Sequence, residues 1–200
     1  MLKFIVAFFS LVGILFSQSA DEQIRELQEK FRSIKDFQAD FNQASDNPNF
    51  NISQSLSGTF YYKSGNKFLI DLNNIKIVSN GNTIWNYDDR QKRTVINNLS
   101  DNSDIISLEK IVFDYPELCE VSIYKEDPNK IIFVPRSNEL NFERAIISLN
   151  KDKLLSRIKI IDISNAEIIF EFANYKINKN LPDEFFEFNI PEDTKVIDFR

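Results

Sequence analysis

The side chains able to do chemistry are few in kind. The 200 residues contain no histidine and one cysteine, Cys119. Without an imidazole base, Ser-His-Asp and Cys-His nucleophilic catalysis are excluded. Without His, and with a single thiol, the usual zinc ligand set is missing as well. Cys119 cannot form an internal disulfide and reads as a small buried hydrophobe rather than a nucleophile. Carboxylates come in close pairs: Asp88 with Asp89, Asp101 with Asp104, and Glu184 with Glu187. Paired acids equip glycoside hydrolases. These pairs, however, fall in segments that read as turns and helix starts, where Asp is favoured because its carboxylate bonds nearby backbone N–H groups. Asp101-Asn102-Ser103-Asp104 lacks the glycine and closing glutamate of an EF-hand calcium loop. Gly58, Gly65 and Gly81 stand apart near strand starts and turns and form no phosphate cradle. An envelope hydrolase would lack its residues, so the chain reads as a non-enzyme with no cofactor and no metal.

What is abundant is apolar surface. There are 19 Phe against one Trp and one Met, and hydrophobic residues make up 42% of the chain. Phenylalanine supplies large apolar area without a polar handle, and this much exceeds what a small core requires. The formal net charge is −6, which disfavours nucleic acid and anionic membrane surfaces as partners. The local exception, Arg90-Gln91-Lys92-Arg93, reads as a solvated hairpin edge.

The first twenty residues stand apart from the rest. Lys3 precedes an apolar run from Phe4 to Phe16, and Ser17-Gln18-Ser19-Ala20 offers small residues for cleavage. This is the pattern of a secretory signal peptide. The run is short of the roughly 20 residues of a spanning helix, so an uncleaved anchor is the weaker reading. The expectation is a signal peptide over 1–20, one domain over 21–200, and a periplasmic location in a bacterium.

Ile24, Leu27, Phe31 and Ile34 recur at helical spacing over Asp21 to Ile34, with Asp21 as the N-cap. From Phe37 the period becomes two. Strands are predicted at Phe37 to Asn42, Ile52 to Lys63, Lys67 to Leu72, Ile75 to Val78, Thr83 to Tyr87 and Arg93 to Ile96. Ser64-Gly65-Asn66 and Asn80-Gly81-Asn82 are hairpin turns between them. Ile105, Leu108, Ile111 and Val112 mark a second helix over Asp101 to Phe113, capped by Ser103 or Asp104 and ended by Tyr115-Pro116. Strands resume at Cys119 to Tyr124, Lys130 to Pro135, Phe142 to Leu149, Leu154 to Ile163, Glu167 to Ile177, Phe186 to Ile190 and Lys195 to Phe199. No βαβ rhythm occurs. The predicted fold is mainly β: one curved antiparallel sheet of about eleven strands, since so wide a sheet must curl, split or close. Two or three short helices, carrying Ile24, Leu27, Phe31, Ile105, Leu108 and Ile111, form a lid over its concave face. The candidate ligand-lining residues are Phe60, Tyr62, Phe68, Ile70 and Leu72 from one hairpin face, Trp85 and Tyr87, and Ile168, Phe170 and Phe172. An ordinary sandwich core accounts for the same pattern.

Several strings resemble the periplasmic outer-membrane lipoprotein carrier family of the Lol sorting pathway. Phe37-Gln38-Ala39-Asp40-Phe41-Asn42-Gln43 is similar to that family's first strand. Gly58-Thr59-Phe60-Tyr61-Tyr62-Lys63 with Lys67-Phe68-Leu69-Ile70 resembles its second and third. Val78-Ser79-Asn80-Gly81-Asn82-Thr83-Ile84-Trp85-Asn86-Tyr87 is the strongest match, and Ile190 to Asp198 resembles its closing segment. The resemblance implies an unclosed β-barrel with a helical lid. It implies a monomeric chaperone that takes acylated lipoproteins from an inner-membrane ATP-driven transporter and passes them to an outer-membrane receptor, without a cofactor. Phe68 and Ile70 would then line the cavity. Many members carry an arginine in the hairpin after the second strand that latches the lid; here that position is Ser64. A carrier of free lipid or glycolipid, and a sensor domain on the same scaffold, are the alternative functions.

Overall fold

A computed structural model describes residues 19–47, 52–101 and 107–200. Most of the predicted leader, the predicted caps Ser103 and Asp104, and the lid residue Ile105 lie outside the described residues. Among those described, no helix is long and apolar enough to cross a membrane.

The described residues form one twelve-stranded sheet. A first helix, α1 (Ala20–Arg32), leads into β1 (Asp36–Asn47), β2 (Ile52–Lys63), β3 (Lys67–Asp71), β4 (Ile75–Asn80), β5 (Thr83–Asp88) and β6 (Arg93–Asn98). A second helical segment ends in the short α2 (Tyr115–Leu118). It is followed by β7 (Cys119–Tyr124), β8 (Asp127–Pro135), β9 (Phe142–Leu149), β10 (Leu155–Asp162), β11 (Glu167–Ile177) and β12 (Lys195–Asp198). The strand order is β12-β6-β5-β4-β3-β2-β1-β11-β10-β9-β8-β7. β1 therefore joins two meanders, pairing with β2 on one side and β11 on the other. The sheet ends at β12 and β7, which do not pair, so the barrel stays open. One expectation is corrected here: β12 joins β6 in parallel rather than antiparallel fashion.

Curvature has a local cause. Against β11 the register of β1 slips between Gln38 and Asp40. Asn174 there takes the left-handed conformation (φ 53°) and its amide donates to Asp40 Oδ2 at 2.6 Å. Such a bulge bends and twists the strand pair. Asn also fills most left-handed positions elsewhere: Asn66, Asn73, Asn165, Asn178 and Asn180. The short amide side chain tolerates that region by bonding locally, which lets a glycine-poor chain make so many tight turns.

α1 starts two residues earlier than its periodicity suggests. Ser19, not Asp21, is the N-cap, its hydroxyl accepting from Glu22 N at 3.2 Å. Asp21 and Glu22 instead occupy the first turn, where carboxylates favour the helix dipole. The second helical segment also departs from expectation. A π turn over Lys110–Asp114 runs into α2, with Pro116 near the start of α2 rather than ending the helix. In a regular α-helix Pro116 would face Val112 O without an N–H to give it. That carbonyl instead accepts from Gln28 Nε2 of α1 at 3.1 Å. The proline thus leaves an acceptor through which the two helical pieces are tied.

The predicted strand Phe186 to Ile190 is absent. A 3-10 turn at Asp183–Phe186 leads into an extended strap across the outer face of β2–β6. Phe186 is fully buried. Phe185 meets Tyr61 with ring centroids at 4.9 Å, and Phe188 meets Tyr87 at 5.4 Å. Trp85, Val78 and Ile96 form a small separate core with Leu69 and Phe188. Trp85 and Tyr87 therefore sit on the face opposite Phe60 and Phe68, correcting their expected place in the cavity. The cause is that β4 and β5 carry apolar residues on both faces, because the strap makes the outer face an interior too.

Candidate functional site

The ladder of registers defines a continuous inner face. Phe37 pairs with Tyr62, and Tyr62 with Phe68; Phe60 pairs with Ile70, and Ile70 with Ile77; Ile77 pairs with Asn86, and Asn86 with Val95. On the other side of β1, Phe41 pairs with Phe172, Gln43 with Phe170 and Ser45 with Ile168. Phe170 and Ile168 face Ile158 and Ile160 of β10. Because side chains alternate across a strand, all these residues project to one side. The predicted residues Phe60, Tyr62, Phe68, Ile70, Ile168, Phe170 and Phe172 therefore share the concave face.

Rings run along it almost without interruption. Phe31 of α1 lies 5.1 Å from Tyr62, which stacks on Phe37 at 5.1 Å. Phe37 stacks on Phe60 at 5.8 Å, and Phe60 meets Phe172 edge-on at 5.5 Å. Phe41 closes the series, 5.6 Å from Phe172 and 6.0 Å from Phe170. This is where much of the phenylalanine excess goes.

The cover lies over one end of this face. α1 buries Ile24, Leu27 and Phe31, and the second segment buries Leu108, Ile111 and Val112. Beneath it lies a small void of about 10 Å³ among Leu27, Phe31, Phe37, Leu108 and Tyr175. Lys153 ties α1 to the β9–β10 hairpin through Glu26 at 3.2 Å and Gln23 Oε1 at 3.2 Å. At the other end the inner face opens into a cavity of about 310 Å³. Its walls are Leu56, Leu72, Ile75, Ile77 and Val95, with Gln43, Asn86, Asp88 and Arg93 among the polar groups. Of the predicted residues, Leu72 lines this space; Phe60, Tyr62 and Phe68 are packed away, each 4% exposed. Ile75, Ile77 and Val95 were missed, because period two cannot assign a face in a strand apolar on both.

Ser64 is exposed, and its backbone N–H donates to Lys35 O at 3.0 Å. The next two residues reach the cover instead. Glu109 Oε1 accepts from Gly65 N at 2.9 Å, Asn66 N at 3.0 Å and Tyr62 Oη at 2.6 Å. Burial first, and then the Glu109 carboxylate, push the Tyr62 phenol well above its ordinary value, so it remains a donor throughout the physiological range. Cys119 is fully buried, and burial raises its thiol pKa; such a thiol has little nucleophilic character. The carboxylate pair at Asp88 and Asp89 serves turns: Asp88 caps Arg90 N and Gln91 N, while Asp89 bonds Tyr87 Oη and Lys92 Nζ. The arrangement is thus a largely apolar, aromatic concave wall, covered by helices at one end and open at the other.

Comparison with known proteins agrees with this architecture. The family model described as outer membrane lipoprotein carrier protein LolA matches residues 32–189. An outer-membrane lipoprotein carrier protein of Haemophilus ducreyi is 25% identical, covering 98% of this chain and 93% of that protein. One from Francisella tularensis subsp. novicida is 26% identical over 99% and 98% respectively. An uncharacterized conserved protein of Thermus thermophilus shares the fold, with a TM-score of 0.51 and 16% identity over 90% of this chain and 98% of that one.

Proposed function

Because the chain belongs to the outer membrane lipoprotein carrier family, we propose that it binds the acyl chains of lipoproteins on its concave face and carries them from the inner to the outer membrane. The observation behind this reading is the largely apolar, ring-lined inner face of an open sheet, part covered by helices and part opening into a cavity. Burying acyl chains is worth about 0.8 kcal/mol per CH₂, so a multiply acylated anchor would not cross water unshielded at a useful rate. A space of about 310 Å³ stands at the small end of ligand sites. An anchor of several chains therefore requires the cover to move off the ring stack. A cover that closes over an empty face competes with the ligand and lowers net affinity, which suits a protein that must release its cargo. No step calls for a catalytic group. The donor and acceptor in this reading are an inner-membrane ATP-driven transporter and an outer-membrane receptor. The leader over 1–20 would place the protein, as a monomer, in the periplasm.

The test is Ile77→Glu. Ile77 is half-buried at the open cavity, so a carboxylate there reaches water while spoiling the apolar wall. We expect at least about tenfold weaker binding of a synthetic triacylated lipopeptide, with thermal unfolding shifted by only a few degrees. A folded variant that binds the lipopeptide as well as wild type would remove the cavity from the proposal.

A further inference from the structure

We propose that Glu109 is the positioning residue that holds the helical cover shut, by seating its carboxylate in the β2–β3 hairpin. The inference rests on the carrier reading only in that the cover must move to admit an acyl chain. One carboxylate oxygen of Glu109 accepts three hydrogen bonds: from Tyr62 Oη at 2.6 Å, Gly65 N at 2.9 Å and Asn66 N at 3.0 Å. Gly65 and Asn66 are both left-handed, at φ 89° and 57°. Successive N–H groups of such a turn face one side and form a concavity that holds an anion. A second bond runs beside the first, from Ser107 Oγ to Asn66 Oδ1 at 2.7 Å. Ser107 in turn accepts from Lys110 N at 3.3 Å and its carbonyl bonds Ile111 N at 3.1 Å. The seat therefore connects directly to the backbone of the π turn.

The two sides of this contact differ in freedom. The hairpin is fixed to the sheet, since Lys63 pairs with Lys67 and Asn66 O accepts from Ser79 Oγ at 3.0 Å. The cover, by contrast, meets this hairpin through the side chains of Glu109 and Ser107. It carries no strand pairing among the described residues, and its backbone bond to the sheet side is at its far end, where Leu118 O accepts from Arg136 N at 3.0 Å. Tyr62 serves both pieces of the cover, its ring against Phe31 of α1 at 5.1 Å and its hydroxyl on Glu109. Opening the cover has to withdraw a carboxylate from three donors and leave two backbone N–H groups to water. Hydrogen bonds to charged groups are among the stronger ones in proteins, so this contact sets how often the inner face is uncovered.

The experiment uses the full chain carrying Glu109→Ala, Glu109→Gln and Tyr62→Phe. Hydrogen exchange is followed at the Ile111 and Val112 amides, which the Glu109 side chain does not touch, with Ile147 in β9 as an unaffected reference. Uptake of 11-(dansylamino)undecanoic acid is followed by stopped flow. Losing a hydrogen-bonded charge is expected to accelerate exchange at Ile111 and Val112 by about tenfold or more in Glu109→Ala. Glu109→Gln keeps an acceptor and should fall between Ala and wild type. Probe entry should quicken in the same order. Should Glu109→Ala fail to fold, Tyr62→Phe keeps the ring stack and removes one donor of three, with a several-fold increase expected. Exchange at Ile111 and Val112 unchanged from wild type in folded variants would overturn the latch. Faster exchange with no probe uptake by any variant, wild type included, would uphold the latch and reject the carrier reading.

Discussion

Phe60→Ala tests whether the ring stack on the concave face is a dry, close-packed interior. Phe60 is 4% exposed and touches four other rings: Phe37 at 5.8 Å, Phe41 at 6.0 Å, Phe68 at 6.2 Å and Phe172 at 5.5 Å. These belong to β1, β3 and β11, so the rings cannot close the gap without moving three strands. Phe→Ala at such a site costs about 3–5 kcal/mol, a large share of the roughly 5–15 kcal/mol that holds a domain folded. At about 2–4 °C per kcal/mol for a chain of this size, the melting temperature should drop by roughly 6–20 °C in near-ultraviolet circular dichroism. The vacated space lies on the concave face, where under the proposed function an apolar ligand would reoccupy it. Wild type at a ligand concentration of about 100 times Kd gains roughly 2.7 kcal/mol, and the variant should gain more than wild type at the same ligand concentration. A melting temperature within about 2 °C of wild type would refute the packed-interior description of this face. So would a ligand shift smaller in the variant.

Two further substitutions probe the frame around the site. In Gly58→Ala, the new Cβ would lie 1.9 Å from Asp71 O and 2.9 Å from Asp71 C, both backbone atoms; the end of β3 has to shift, at a cost of about 1–3 kcal/mol or more, read as a lower urea midpoint. In Asp183→Asn, the strap loses its ion pairs to Lys63 at 2.6 Å and Lys67 at 3.1 Å. Hydrogen bonds from those two lysines hold the Asp183 carboxyl below its ordinary value, so its contribution is complete above about pH 4 and is lost as pH falls through the depressed value. The difference in urea midpoint between wild type and Asp183→Asn should therefore be present at neutral pH, shrink in high salt, and vanish in strong acid.

Much of the architecture was legible because it depends on short-range pattern. The Ser64-Gly65-Asn66 turn fixes the β2–β3 register, and with it the shared face of Phe60, Tyr62, Phe68 and Ile70. The alternation of Ile168, Phe170 and Phe172 placed them together for the same reason. The helical stripe of Ile24, Leu27 and Phe31 is buried as its spacing required. The family strings pointed to the same fold.

Other features were decided only when distant segments met. Phe186 and Phe188 alternate like a strand, yet they dock onto the outer face of the sheet. That docking turns the side of Trp85 and Tyr87 into an interior, and nothing within β5 says which segment covers it. Pro116 reads as a helix terminator, but a π turn before it and Gln28 from α1 let the segment run on. Glu109 looks like any surface carboxylate until the chain brings it against a hairpin 43 and 44 residues away. Sequence patterning reports which face of an element avoids water, because that depends on a residue's near neighbours. It does not report which remote surface does the covering, or which unsatisfied donors await a carboxylate there, since both depend on the order in which strands assemble into the sheet.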